Sequence, residues 1–289
     1  MKKITAGFVA VGLIISAPVI AADMAVKAPA PPPPPSWTGF YVGGDVGGAW
    51  ADRSVSYAAN DPAAAVLVNG TLGTGGQPIS SNNFNMSGVT GGVETGYNWQ
   101  IDRSWLLGIE ADFSGSGLKG TGNSTSFLQQ APSGNFTQTV SEQQKIDWYG
   151  TVRGRLGWLP APNLLLFGTG GFAYADVRNS GNYSSAGPVV APFGFGTTPF
   201  SFSCTSNSTC FAGSSSSIRT GWTLGAGAEW LFWRNWSAKI EYQYVNLGGD
   251  GVRIAANATL PGATTPSSFN ANFARDDFQV VRAGVNYHF

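Results

Sequence analysis

Charge is scarce in this chain of 289 residues: Asp, Glu, Lys and Arg together make up 11%, against about 25% in an ordinary soluble protein. The charge present is balanced, 16 basic against 16 acidic side chains, so no strong field exists to gather nucleic acid. Histidine occurs once and cysteine twice, which excludes multi-histidine metal centres and four-cysteine zinc sites. Beyond residue 22 no run of 18 uncharged apolar residues occurs, which excludes helical membrane spans. Glycine, by contrast, counts 40, and aromatic residues reach 13%. A glycine-rich, aromatic-rich, charge-poor chain must place its apolar surface somewhere other than a large helical core.

The first residues read as an address. Lys2 and Lys3 precede an uncharged stretch, Ile4 to Ala22, and Ala21 or Ala22 offers a small residue for cleavage. Residues 1–22 are therefore expected to be a secretory signal peptide, and Pro18 argues against a permanent spanning helix. Residues 23–36, with an unbroken proline run from Pro31 to Pro35, are expected to form an extended periplasmic linker.

From Trp37 onward the hydrophobic period is two. Val281, Ala283, Val285, Tyr287 and Phe289 share one face; Arg282, Gly284, Asn286 and His288 share the other. The same alternation starts at Phe40, Val89, Trp105, Ile146, Leu164, Trp222 and Ala238, making eight strands. The phase near Leu164 is ambiguous, because Leu165 and Phe167 are apolar as well. Connections alternate between tight turns (Ile101–Arg103, Leu159–Asn163, Trp233–Asn235) and long segments rich in Gly, Ser, Thr and Asn at about 52–85, 118–144, 179–217 and 250–276. This predicts an all-β fold: an eight-stranded antiparallel up-and-down transmembrane β-barrel over 37–289, with short periplasmic turns and long extracellular loops. In lipid a sheet survives only if it closes on itself and leaves no unpaired edge.

Tryptophan positions give an independent check. Trp37, Trp99, Trp105, Trp158, Trp230, Trp233 and Trp236 fall near the short turns, and Trp50, Trp148 and Trp222 near the opposite end. These are the two aromatic girdles of a membrane barrel.

The linker opening Ala22-Asp23-Met24, the entry Trp37-Thr38-Gly39-Phe40-Tyr41-Val42-Gly43-Gly44, and the closing Val281-Arg282-Ala283-Gly284-Val285-Asn286-Tyr287-His288-Phe289 resemble the small alphaproteobacterial outer-membrane immunogenic proteins, or porin-family proteins, with an OmpA-like barrel. The resemblance covers nearly the whole chain after residue 22 and is architectural. It implies a bacterial outer-membrane location and a non-enzymatic role in envelope integrity and surface display. The implied partners are outer-membrane lipid and lipopolysaccharide, the barrel-assembly machinery and periplasmic chaperones. It also implies that Tyr287 and Phe289 form the signal read during assembly. A haem-binding role has been proposed among relatives, so haem, like a host-surface ligand, stays among the partners considered. A tyrosine or histidine could ligate its iron, but the long segments contain no histidine and few tyrosines, Tyr57 and Tyr183.

Several residue sets invite chemistry. On the phase above, Asp45, Glu94, Glu110, Asp112, Asp147, Glu229 and Glu241 face Lys145, Arg153, Arg155, Lys239 and Arg282 inside the barrel. Eight strands leave an interior just wide enough for side chains, so these charges are expected to pair into a plug rather than line a pore. A narrow porin-like channel is the alternative, and a receptor or adhesin acting through the loops is a third. Glu110 with Asp112, and Arg153 with Arg155, have the spacing of any inward strand face and are not read as catalytic. His288 stands near the short turns with no obvious nucleophile or acid beside it. Gly115-Ser116-Gly117-Leu118-Lys119-Gly120 matches a dinucleotide fingerprint by letters only; without a βαβ unit it reads as a glycine-rich loop. Cys204 and Cys210, six apart in an exported chain, are expected to form a disulfide, beside the aromatics Phe193, Phe195, Phe200, Phe202 and Phe211. No cofactor is expected.

Overall fold

A computed structural model describes residues 36–70, 76–130, 134–190, 200–258 and 265–289. The expected signal peptide, and the linker apart from Ser36, lie outside the described residues. The wall is built from β1 (Gly39–Ala59), β2 (Asn82–Gln100), β3 (Trp105–Gln130), β4 (Gly134–Ala161), β5 (Leu164–Ser185), β6 (Ser208–Trp233) and β7 (Trp236–Asn246), followed by β8 (Asp250–Ala256), β9 (Ser268–Phe273) and β10 (Asp277–His288). Neighbours run antiparallel from β1 to β7, β7 pairs with β10, and β10 returns to β1 in a register running from Tyr41 opposite His288 to Trp50 opposite Gln279. The eight-stranded ring expected from the alternation is therefore present and closed. Farther from the short turns, β8 and β9 replace β7 and β10 between β6 and β1, so the ring keeps eight strands at both levels. No helix among the described residues is long and apolar enough to cross a membrane.

Turn chemistry fits the tight ends. The Asp102 carboxylate accepts from the backbone N–H groups of Ser104 (2.7 Å) and Trp105 (2.8 Å), and Arg234 adopts a left-handed φ of 40° in the two-residue link between β6 and β7.

The strands are longer than a membrane requires, and their polarity inverts along the way. On β1 the outward residues are first Phe40, Val42, Val46 and Trp50, then Asp52, Ser54 and Ser56; the inward ones are first Tyr41 and Asp45, then Ala49, Ala51 and Val55. The pleat keeps its phase while the chemistry changes sides. Near the short turns the apolar face looks out, as lipid demands. Farther along it looks in, as in a barrel standing in water. There Val55, Phe84, Met86, Ile146, Tyr149, Val177, Phe211, Phe269 and Phe278 make a continuous buried core. A short helix, α1 (Pro62–Asn69), adds Ala64 and Leu67 to it; Asp61 caps its first turn by accepting from the Ala64 N–H at 2.9 Å, and Gly70 ends it at φ 66°.

This inversion corrects the sequence reading of the four long segments. Most of 52–59, 118–130, 134–144, 179–185 and 208–217 is strand, not loop, and the glycine-rich 115–120 lies inside β3. A second correction concerns β4. The register slips between Ile146 and Tyr149, and one extra residue flips the pleat. Ile146 is therefore buried inside, while Lys145 and Asp147 stand on the outer wall. At β5 the ambiguity resolves with Leu165 and Phe167 inward.

Candidate functional site

The lumen holds most of the chemistry, at three levels. The short-turn end is closed by an apolar cluster of Trp37, Leu106, Leu159, Leu165, Phe167 and Leu231. Trp37, expected in the girdle, is instead 1% exposed. Its indole N–H donates to the Pro162 carbonyl at 3.0 Å, its backbone N–H donates to Gln100 Oε1 at 3.2 Å, and its ring meets His288 edge-on at 5.4 Å.

Above that cap lies the charge network. Asp45, Glu94, Glu110, Asp112, Glu229 and Glu241 meet Arg153, Arg155, Lys239 and Arg282, every side chain essentially sealed from solvent. Arg153 pairs with Glu110 and Glu241, and with Asp112 at 3.0 Å. Arg155 pairs with Glu229 and lies 3.9 Å over the Phe167 ring. Lys239 pairs with Glu94 and reaches Glu241 at 3.3 Å and Glu110 at 3.6 Å. Arg282 reaches Glu241 at 2.8 Å, Asp45 at 3.3 Å and Asp112 at 3.4 Å.

Six carboxylates thus face four permanent cations, and neutral donors make up part of the difference: the Tyr41 hydroxyl to Glu110 at 2.5 Å, Ser237 to Glu229 at 2.5 Å, and Thr151 to Asp112. Room for these side chains comes from inward glycines. A Cβ on Gly96 would lie 2.5 Å from the Tyr41 ring, and one on Gly225 2.6 Å from Thr169 Oγ1. Every charged side chain in this network has at least one ion-pair partner, and the network braces the wall, since an unpaired charge here would cost several kcal/mol. Above it the apolar core shares the interior with buried polar groups, among them Arg53, Gln144, Asn179 and Asp276, which are joined by hydrogen bonds.

Glu94, Glu110 and Glu241 converge closely enough to suggest a cation site. The Lys239 ammonium already stands among them, so the chain supplies that cation itself.

Asp147 is a correction to the expected lumen set. It pairs with Lys145 and lies 2.9 Å from Arg178 on the outside of the wall. The pleat flip at Ile146 moved it, and no periodicity count across a bulge finds that.

His288 is a second correction. Its Nε2 lies 3.0 Å from Ser237 Oγ and 3.2 Å from Glu229 Oε1, so both a hydroxyl and an acid are beside it. The geometry is not that of a nucleophilic triad, in which the acid holds the far ring nitrogen. Here both partners meet the same nitrogen, Ser237 donates to Glu229, and Ser237 is wholly buried. Ser237, Asn286 and Tyr41 were missed as network members because polar neutral residues on an inward phase look like ordinary barrel lining.

Cys204 and Cys210 stand with Cα atoms 5.2 Å apart, within the span of a disulfide. Phe202 and Phe211 beside them are buried, ring centroids 4.7 Å apart, and so form core rather than a surface patch; Phe193 and Phe195 lie outside the described residues. Tyr183 is buried and donates to Gln138 at 3.1 Å, and Tyr57 donates to Glu142, so both phenols are engaged within the protein. Tyr287 on β10 and Phe289 just beyond its end face outward, rings 5.1 Å apart, and the Phe289 N–H donates to the Phe40 carbonyl at 2.9 Å.

Comparison with known proteins adds the context. Residues 14–289 match the family model described as outer membrane protein beta-barrel domain. The chain is 31% identical over 294 aligned residues, covering all of both chains, to the 31 kDa outer-membrane immunogenic protein of Brucella melitensis. It is 28% identical over 218 residues, 74% of this chain and 66% of the relative, to a 22 kDa outer membrane protein of Rhizobium leguminosarum. Among solved structures, the outer membrane protein OprG of Pseudomonas aeruginosa aligns with a TM-score of 0.44 at 11% identity, over 88% of this chain and 99% of that one.

Proposed function

The chain belongs to the outer-membrane β-barrel family, and from that membership we propose that it is a closed, non-enzymatic structural barrel of the bacterial outer membrane that supports the envelope and displays its long end to the outside. The observation that carries this reading is the filled lumen. An apolar cap at Trp37, ten interlocked charges and an apolar core succeed one another along the axis. Opening a steady aqueous path would require uncovering all three. The alternative of a narrow porin-like channel would have to break buried ion pairs at each passage. Display by the long end is supported by the polar outer face that begins above Trp50, which suits water rather than lipid.

Conductance in planar bilayers tests the proposal. The purified, folded protein is expected to give no stable open level. A reproducible ohmic conductance, reduced when the lumen charges are altered, would overturn the closed reading in favour of the channel.

A further inference from the structure

The outer wall carries a second concentration of charge, unconnected with the lumen. Strand register sets Lys119 directly opposite Lys145, and Lys145 directly opposite Arg178, so three cations form one row across β3, β4 and β5. Like charges placed directly opposite weaken an antiparallel pair, and the free protein gains nothing from stacking three. Asp147 and Asp176 offset part of the row: Asp147 pairs with Lys145 and lies 2.9 Å from Arg178, and Asp176 lies 3.1 Å from Arg178. Two acids do not balance three cations, and Lys119 makes no ion pair among the described residues. The Lys145 and Arg178 side chains stay 46% and 56% exposed. They edge a cleft of about 560 Å³ that also presents Gln143, Ser214 and Ser216.

The height of this row on the wall is informative. Three residues nearer the short turns on β4 is Trp148, whose ring lies 5.5 Å from Phe113 and 6.0 Å from Tyr174. That aromatic group marks a membrane–water interface. At about 3.3 Å per residue, the cations stand about 10 Å beyond it along a tilted strand, where lipid headgroup phosphates lie. The arrangement stacks three chemistries in order: rings for acyl chains, fixed cations for phosphate, and amide and hydroxyl groups for sugar.

We infer that Lys119, Lys145 and Arg178, with the adjoining cleft, bind the phosphorylated sugar headgroup of an outer-leaflet glycolipid of the lipid A class. Asp147 and Asp176 hold the Lys145 and Arg178 side chains extended toward that phosphate. The inference rests on the outward orientation of the long end proposed above, but binding in detergent is read without any orientation. Its failure would therefore leave the surface-display reading standing.

The test is native mass spectrometry of the folded protein in micelles, titrated with bis-phosphorylated lipid A. Wild type is expected to retain the lipid, and Lys119→Gln/Lys145→Gln/Arg178→Gln to bind about tenfold more weakly, while Arg103→Gln at a short turn binds as wild type. Dephosphorylated lipid A should bind wild type no better than the triple variant binds the intact lipid. Inorganic phosphate at equal concentration should not compete. Equal binding of both lipids by wild type, or undiminished binding by the triple variant, would overturn the site; competition by inorganic phosphate would overturn its assignment to a lipid. Should the triple variant fail to fold, Lys119→Gln alone and the discrimination between the two lipids by wild type decide the question.

Discussion

Arg153 on β4 and Glu241 on β7 form an ion pair across the lumen, although two other strands separate them in the ring. The pair ties opposite walls, and Arg153 also holds Glu110 and Asp112. Arg153→Ala would leave three buried carboxylates short of a partner. It is expected to cost about 3–5 kcal/mol, read as a lowered urea midpoint of the detergent-refolded protein. Lys145→Ala, on the outer wall, removes a half-exposed pair and should change the midpoint by about 0–1 kcal/mol. Equal losses from the two variants would mean that the lumen network does not brace the barrel.

Glu142 offers a test by pH in the part of the barrel beyond the membrane. It is 1% exposed, accepts from the Tyr57 hydroxyl, and accepts from Asn82 Nδ2 at 3.0 Å. Burial raises its carboxyl pKa above the ordinary 4.5. The folded chain therefore holds this proton more tightly than the unfolded one. The resulting stability is present at and below the ordinary carboxylate range and is lost as pH rises through the raised value. Glu142→Gln keeps the acceptor for Tyr57 without the titration. The variant should lose that part of the decline in unfolding midpoint that sets in as pH rises above the ordinary carboxylate range. An unchanged pH profile would show that Glu142 titrates alike in both states.

The cysteine pair is expected to be oxidised in the mature protein. Closing so short a loop contributes about 2 kcal/mol on the chain-entropy account, and the ring of strands closes without it. Cys204→Ser/Cys210→Ser should therefore still migrate as a compact species in unboiled detergent gels and as an unfolded one after boiling, as wild type should. Two free thiols found by mass spectrometry in protein from cells with an oxidising periplasm would remove the bridge.

Phe289 is 73% exposed on the outer face, directly after the strand that closes the ring against β1. A charge there, near an interface, costs only about 0–1 kcal/mol in a finished barrel. Phe289→Asp should nonetheless lower the amount of folded protein reaching the outer membrane, because closure waits for this strand. The purified variant should refold in detergent. Normal outer-membrane yield would remove Phe289 from an assembly role, and failure to refold would place the defect in stability instead.

The alternation from Trp37 to Phe289 was enough to determine the barrel, its strand number and its membrane class, because the two faces of a strand meet different solvents and period two records that directly. It also placed ten of the charges inside. Three things depended on the tertiary structure. Asp147 and Lys145 lie outside because a bulge between Ile146 and Tyr149 flips the pleat, and an inserted residue leaves no mark on composition. Trp37 became a plug rather than a girdle residue because the space beneath Phe167 and Leu231 exists only once the ring has closed. The long segments became strands because their Ser, Thr and Asn face water on the outer side while Val55, Ile146 and Val177 fill the inside. Read along the chain, that exchange of faces looks like the end of a strand, and only the neighbouring strands, by pairing past it, decide that the wall continues.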